Sequence, residues 1–221
     1  MTQSLYVFDL DDTLIDGDSA MLWHQYLVEH AIIQDPDFLA EDQRLMSLYA
    51  KGKLDMQQYL DFATAPLTKI KHADLAVLAD NFTQQCIAPL VFPQAKDLLD
   101  NLQQSNTTVV LISATVDYLV QAIAKMLGIK HAYGIQLESN HSYLQSQIKG
   151  IATYREGKVT CLEQWLELHP SYKEHHIVFY SDSINDKPMC LRADSTFVVN
   201  PCPQLAVAAH INGWPALNWA L

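Results

Sequence analysis

Four aspartates stand in two short clusters, Asp9 with Asp11 and Asp182 with Asp186. Each cluster follows a run of apolar, β-prone residues: Leu5 to Phe8 in the first case and Ile177 to Tyr180 in the second. A buried strand that ends in carboxylates delivers them to the edge where open α/β sheets bind ligands. If the two strands are neighbours, the four carboxylates converge. Such a cluster is unfavourable unless a hard cation neutralises it. A few carboxylates, waters and a phosphate are how Mg2+ is usually held. A single Asp is explained as a turn or helix cap, whereas two clusters at two strand ends are not.

Other positions supply what a phosphoryl group needs. Ser113 closes a third apolar run, Thr108 to Ile112, and Ser113-Ala114-Thr115 leads into a helical pattern. A hydroxyl beside helix N-terminal N–H groups suits phosphate oxygens. Lys158 lies in the first turn of a helical pattern, where it opposes the helix dipole and gains nothing locally.

These residues need a scaffold. After Pro89, strand and helix patterns alternate: helices over 93–104, 117–127 and 156–168, and strands over 108–113, 177–180 and 196–199. Residues 132–148 alternate around Ser139-Asn140-His141 and predict a hairpin. The fold class is therefore α/β, a mostly parallel sheet flanked by helices with right-handed crossovers. Between the first strand and the rest lie four helical patterns, the second starting at Asp35-Pro36 as N-cap and N1. This stretch is too long for a loop and has its own apolar faces, so it reads as an inserted helical domain. The expected division is 1–16 and 89–221 for the core and 17–88 for the insert, hinged near Gly17 and Pro89.

The chain has 221 residues and a formal net charge of −11. Residues 1–90 carry fourteen acidic and five basic side chains, and residues 91–221 eleven and nine. That balance disfavours nucleic acid and anionic membranes as partners. No apolar run reaches the ~18 residues of a membrane helix, and no signal peptide is recognised at the start. The expected location is the cytoplasm, with Cys86, Cys161, Cys190 and Cys202 as free thiols and the chain a monomer. The histidines form no HxxxH pair, which disfavours zinc.

Taken together, Asp9-Leu-Asp-Asp-Thr-Leu14, Ser113, Lys158 and Ser181-Asp-Ser-Ile-Asn-Asp186 resemble the four motifs of the haloacid-dehalogenase superfamily of phosphohydrolases. Asp16-Gly-Asp-Ser19, Arg155-Glu-Gly-Lys158 and Asn200-Pro201 resemble its phosphoserine-phosphatase-like branch, within it a bacterial group that includes histidinol-phosphate phosphatases of histidine biosynthesis. The resemblance implies a Rossmann-like core with a helical C1 cap. It implies Asp9 as nucleophile, forming an aspartyl-phosphate, and Asp11 as acid and base. Asp9, the Asp11 carbonyl and Asp182 would hold Mg2+, with Mn2+ as the alternative ion. Asp186 would support the metal through water or orient Lys158. Ser113, Ala114 and Lys158 would bind the phosphoryl oxygens, and Asn185 would contact the substrate. Ser181 departs from the glycine frequent in the family.

The insert would choose the ester. Asp18 falls where the branch places an acidic residue for a substrate amine, and equally where a helix needs a cap. The arginine that clamps a phosphoserine carboxylate has no counterpart near Ala63, and the chain has only Arg44, Arg155 and Arg192. An acidic insert with Trp23, Tyr26, Tyr59 and Phe62 favours a phosphorylated amine, with histidinol phosphate first and phosphoserine, phosphocholine or a similar small ester as alternatives. A non-catalytic phospho-aspartate signalling domain is the remote alternative. Such domains are shorter and carry the acceptor on a middle strand.

Overall fold

The computed structural model describes residues 3–221; residues 1 and 2, part of the expected 1–16 segment, lie outside it. Strand β1 (Ser4–Phe8) is followed by helices α1 (Ser19–Glu29), α2 (Phe38–Ala50), α3 (Met56–Thr64) and α4 (His72–Phe82). The chain continues through α5 (Pro93–Gln104), β2 (Val109–Val116), α6 (Asp117–Leu127) and β3 (His131–Ile135). The hairpin β4 (Leu137–Asn140) and β5 (Tyr143–Ile148) leads to α7 (Glu156–Leu168), β6 (His176–Ser181), α8 (Lys187–Arg192), β7 (Ser195–Val199), α9 (Pro203–Asn212) and β8 (Ala216–Leu217).

Six parallel strands form one sheet in the order β3-β2-β1-β6-β7-β8. The chain winds one way from β1 to β3 and the other way from β6 to β8. The direction reverses between β1 and β6, and ligands of such sheets bind at that point. Alternation along the strands separates the two faces. Leu5, Val7, Ile177 and Phe179 pack on Leu162, Trp165 and Leu166 of α7 and Leu205 of α9. Phe8, Leu111 and Val178 pack on α5 and α6 through Leu99, Leu119 and Ile123.

Helices α1 and α4 join that second face: Trp23, Tyr26, Leu75 and Phe82 belong to the same cluster as Phe8 and Leu111. Helices α2 and α3 form a smaller cluster through Leu45, Leu60 and Ala63 that rests on Ile135 and Ile148. Gln57 donates from α3 to the Ser146 carbonyl of β5 at 2.9 Å. The segments entering and leaving the helical insert are paired, with Asp16 N donating to Leu90 O at 2.8 Å and Phe92 N to Leu14 O at 3.1 Å.

Several boundaries differ from the sequence expectation. Helix α2 starts at Phe38, because Asp35 and Pro36 form a turn closed by the Asp35 carboxylate on Asp37 N. Strand β2 runs three residues past Ser113, kept extended by pairing of Val116 with Ile135 across a register shift. Residues 131–135 are a parallel strand of the main sheet, and only 137–148 make the hairpin. Helices α8 and α9 and the two-residue β8 were too short or weakly patterned to read. Among the described residues no helix is long and apolar enough to cross a membrane.

The entry to α7 is tightly built. Arg155 adopts φ +53°, unusual for a residue with a side chain, and Gly157 lies against the Ala152 carbonyl so closely that a methyl group there would overlap it. Gly157→Ala should destabilise the protein by about 1–3 kcal/mol, measured by urea denaturation. An unchanged midpoint would show that this loop has room to move.

Candidate active site

Asp9 ends β1, its amide donating to the Tyr180 carbonyl of β6 at 3.0 Å. Lys158, three residues into α7, is 1% exposed. Its ammonium donates to Asp9 Oδ1 and to Asp186 Oδ2, both at 2.7 Å. Ser181 Oγ donates to the same Asp186 oxygen at 2.9 Å. The side chain that departs from glycine at position 181 therefore orients Asp186. Both bonds fall on Oδ2, so Asp186 orients Lys158 through that oxygen.

The loop after Asp9 is folded under itself, with Thr13, Leu14 and Ile15 N–H groups all directed at the Leu10 carbonyl and Asp12 at φ +52°. Asp11 turns its carboxylate away from Lys158. It accepts from Ser19 N at 2.6 Å, Thr115 Oγ1 at 2.9 Å and Ser113 Oγ at 3.4 Å. Asp11 thus has its carboxylate tied to α1 and β2. Asp182 follows β6 and accepts from Thr13 Oγ1 at 3.4 Å.

Ser113 is fully buried, within β2 and three residues from its end, not at a helix N-terminus. Its hydroxyl accepts from Thr115 N at 3.0 Å, and its carbonyl accepts from Thr153 Oγ1 at 2.6 Å. The extended backbone of Ser113 and Ala114 replaces the expected helix end. Asn185 also differs from expectation. Its amide donates to the Tyr49 carbonyl at 3.2 Å, and its oxygen faces Tyr154 and Arg155. Arg155 in turn donates to the Gly52 carbonyl at 2.7 Å. Asn185 and Arg155 therefore join the end of α2 to the core, outside the main cavity. Gly52 must be glycine at this latch: it has φ +64°, and a methyl group would overlap the Arg155 guanidinium.

A cavity of about 90 Å³ lies over Asp9, Asp11 and Asp182, with Ala114 and Thr115 at its floor. From the helical side it is lined by Asp18, Trp23, His24, Tyr49, Tyr59 and Leu60, among others, and by no lysine or arginine. Asp18 serves two ends: it caps α1, accepting from Ala20 N at 2.9 Å and Met21 N at 3.0 Å, and it faces the cavity. Trp23 is likewise both core and lining, stacked on Tyr26 and edge-on to Phe82.

The electrostatics are those of too much negative charge in too little water. Burial pushes the Asp9 carboxyl up to about 7; Lys158 opposes this, and Asp186 and Asp11 add to it. Burial, then Asp11, raises Asp18 to about 7. Burial and the Asp9 charge hold Asp182 well above the carboxylate range. Burial alone would lower Lys158, but Asp186 and Asp9 override it and hold the ammonium above its usual value.

Residues 6–190 match the family model of the haloacid dehalogenase-like hydrolases. A histidinol-phosphatase of Neisseria meningitidis is 33% identical over 98% of this chain and 99% of its own. A phosphoserine phosphatase of Mycobacterium tuberculosis is 26% identical, covering 94% of this chain and 68% of that one. Among solved structures, a Bordetella pertussis protein of unknown function superposes with a TM-score of 0.87 at 28% identity, over 98% and 99% of the two chains. A phosphoserine phosphatase superposes at 0.67 with 19% identity, over 94% and 91%, which speaks for the fold. The chain belongs to the haloacid dehalogenase-like hydrolase family. It is a phosphatase of that family.

The Lys158 bridge sets a pH dependence. In metal-free protein Asp9 takes its proton at about 7 when folded and near 3.8 when unfolded. Its protonation therefore favours the fold fully below about pH 4, and that contribution is lost as pH rises through 7. Lys158→Met removes the charge that opposes the shift. Its loss of stability in chelator should be smaller at pH 5, where Asp186 alone loses its partner, than at pH 8, where it should reach about 3–5 kcal/mol, by urea denaturation. Equal losses at both pH values would mean that Lys158 acts by packing alone.

Proposed function

We propose that this chain is a Mg2+-dependent phosphomonoesterase that reacts through Asp9, and that its substrate is histidinol phosphate. The observation that carries the substrate is the lining of the cavity: carboxylates and aromatic rings without one cationic side chain. A phosphoserine carboxylate would meet Asp18 there and no guanidinium. An alcohol bearing an ammonium group and a flat ring meets Asp18, Trp23 and Tyr59.

The donor set suits Mg2+. Among the described residues no three His, Cys, Asp or Glu side chains gather closely enough to hold an ion alone. Asp9 and Asp182 both line the cavity and carry more negative charge than Lys158 balances. Two such carboxylates with the Asp11 carbonyl, completed by water and phosphate oxygens, match how this ion binds. When bound, the ion would neutralise phosphoryl charge and keep Asp9 ionised.

Asp9 attacks phosphorus and the bond to the alcohol oxygen breaks, leaving an aspartyl-phosphate. Asp11, held by Ser19 N and Thr115 Oγ1, gives its proton to the departing oxygen. It then takes one from the water that attacks the phosphoenzyme, and phosphate leaves. Lys158, Ser113 and the Ala114 backbone stabilise charge on the phosphoryl oxygens. In this reading 1–16 and 89–221 form the core, and 17–88 is a cap latched by Arg155 on Gly52.

An aryl phosphate should be hydrolysed only with Mg2+ or Mn2+ present, and Asp9→Asn should lower kcat about a thousandfold or more. Turnover in chelator, or a mildly affected variant, would remove Asp9 and the ion from the reaction. Side by side, kcat/KM for histidinol phosphate should exceed that for phosphoserine and phosphocholine by about tenfold or more. A preference for phosphoserine would reverse the substrate assignment. Because the surplus carboxylates ionise as pH rises, the Tm gained from Mg2+ should grow between pH 5 and 7.5. A constant gain would place the ion elsewhere.

A further inference from the structure

Behind the cavity wall sits a second acidic contact that the phosphoryl chemistry does not use. His24 of α1 and Asp42 of α2 are 3% and 1% exposed, with His24 Nδ1 3.0 Å from Asp42 Oδ1. The contact is close but out of line, so neither atom completes a well-directed hydrogen bond. The His24 ring is boxed by Phe38, Tyr59 and Phe62 at centroid distances of 5.1, 6.3 and 6.3 Å.

Packing does not call for this pair, since a buried ion pair is often replaced by apolar residues without loss. A neighbouring polar atom, the Tyr59 hydroxyl, is also buried and unpartnered, while the Trp23 indole N–H is directed at the Tyr118 hydroxyl. Trp23, His24 and Tyr59 all line the one cavity over Asp9. Buried polar groups are normally satisfied, and an unpartnered hydroxyl beside the His24 ring on one cavity wall points to a ligand that meets them.

We propose that His24, Tyr59 and Trp23 form a recognition subsite for a nitrogen heterocycle on the substrate's alcohol, with Asp42 as the positioning residue that sets the His24 ring. This rests on the phosphatase reading above and deepens it. With Nδ1 turned to Asp42, Nε2 is the ring nitrogen left to meet a ligand. Tyr59 donates or accepts, and His24 Nε2 accepts in the tautomer that holds its proton on Nδ1 toward Asp42. A ring with one N–H and one acceptor nitrogen donates to His24 and accepts from Tyr59, two bonds that a trimethylammonium or a plain ammonium group cannot both make. Asp18, at the start of α1, remains for the amine.

The test uses Asp42→Asn, nearly isosteric, and His24→Phe, each checked for an unchanged far-ultraviolet spectrum and Mg2+ response. Both should raise KM for histidinol phosphate about tenfold, the scale of one well-made hydrogen bond, with kcat little changed. Hydrolysis of phosphoethanolamine and an aryl phosphate should change less than about twofold. Equal losses on all three esters, or no loss on any, would overturn the subsite. Unphosphorylated histidinol supplies the independent arm, as a competitive inhibitor of aryl phosphate hydrolysis. Its Ki should rise about tenfold in both variants, even if histidinol phosphate proves a poor substrate and the proposed function fails. If the wild type is not inhibited, or the variants are inhibited equally, the subsite is wrong whatever the true substrate is.

Discussion

The ammonium of Lys158, closed off from water between Asp9 and Asp186, is the interaction on which the rest of the site depends. Burying an ammonium and two carboxylates costs several kcal/mol per ion before their attraction is counted. The geometry that offsets this cost is built from far apart in the chain. Strand β1 delivers Asp9, the turn after β6 delivers Asp186, and Ser181 fixes the latter's oxygen. The strained Arg155 and the glycine at 157 bring the start of α7 close enough for Lys158 to reach both. One ammonium does not balance the carboxylates around it, and the remainder is what the proposed Mg2+ would neutralise.

The cavity has two chemically different ends. Its floor is carboxylate, hydroxyl and backbone at the point where the sheet reverses direction. Its roof is aromatic and aliphatic, with Asp18 and His24 on its surface and Asp42 behind His24. A net charge of −11 would otherwise repel a dianionic ester. Concentrating acid in the first 90 residues suits the proposed reading, in which the roof would meet the cationic end of a substrate and the floor its phosphate.

The carboxylates of the floor and Lys158 were legible in sequence because each follows a strand or opens a helix, and those elements have strong periodicity. Asp9, Asp11, Lys158 and Asp182 lie where the motifs placed them, although Asp11 spends its carboxylate on α1 and β2. Asn185 misled because a residue type says nothing about which way it turns, and here it turns to Tyr49. Ser113 misled because β2 continues beyond it, held by a partner strand that sequence alternation merged into the hairpin. His24 and Asp42 went unnoticed, yet one signal was present. Phe38, Asp42 and Leu45 share the buried face of α2, and a carboxylate at that spacing needs a partner. Thr115, Thr153 and Arg155 had no such signal, since hydroxyls and an arginine beside loops are ordinary.

Trp23, Tyr26 and Phe82 lie in one hydrophobic cluster with Phe8, Leu111 and Leu119. Helices α1 and α4 therefore have no core of their own to keep once the sheet comes apart, and they melt with it as one cooperative unit. Helices α2 and α3 share a smaller cluster against Ile135 and the hairpin, and Phe38 of α2 reaches into the larger one. The helical insert is therefore packed on the sheet from both pairs of helices, and the pair α1 and α4 carries Asp18, Trp23 and His24.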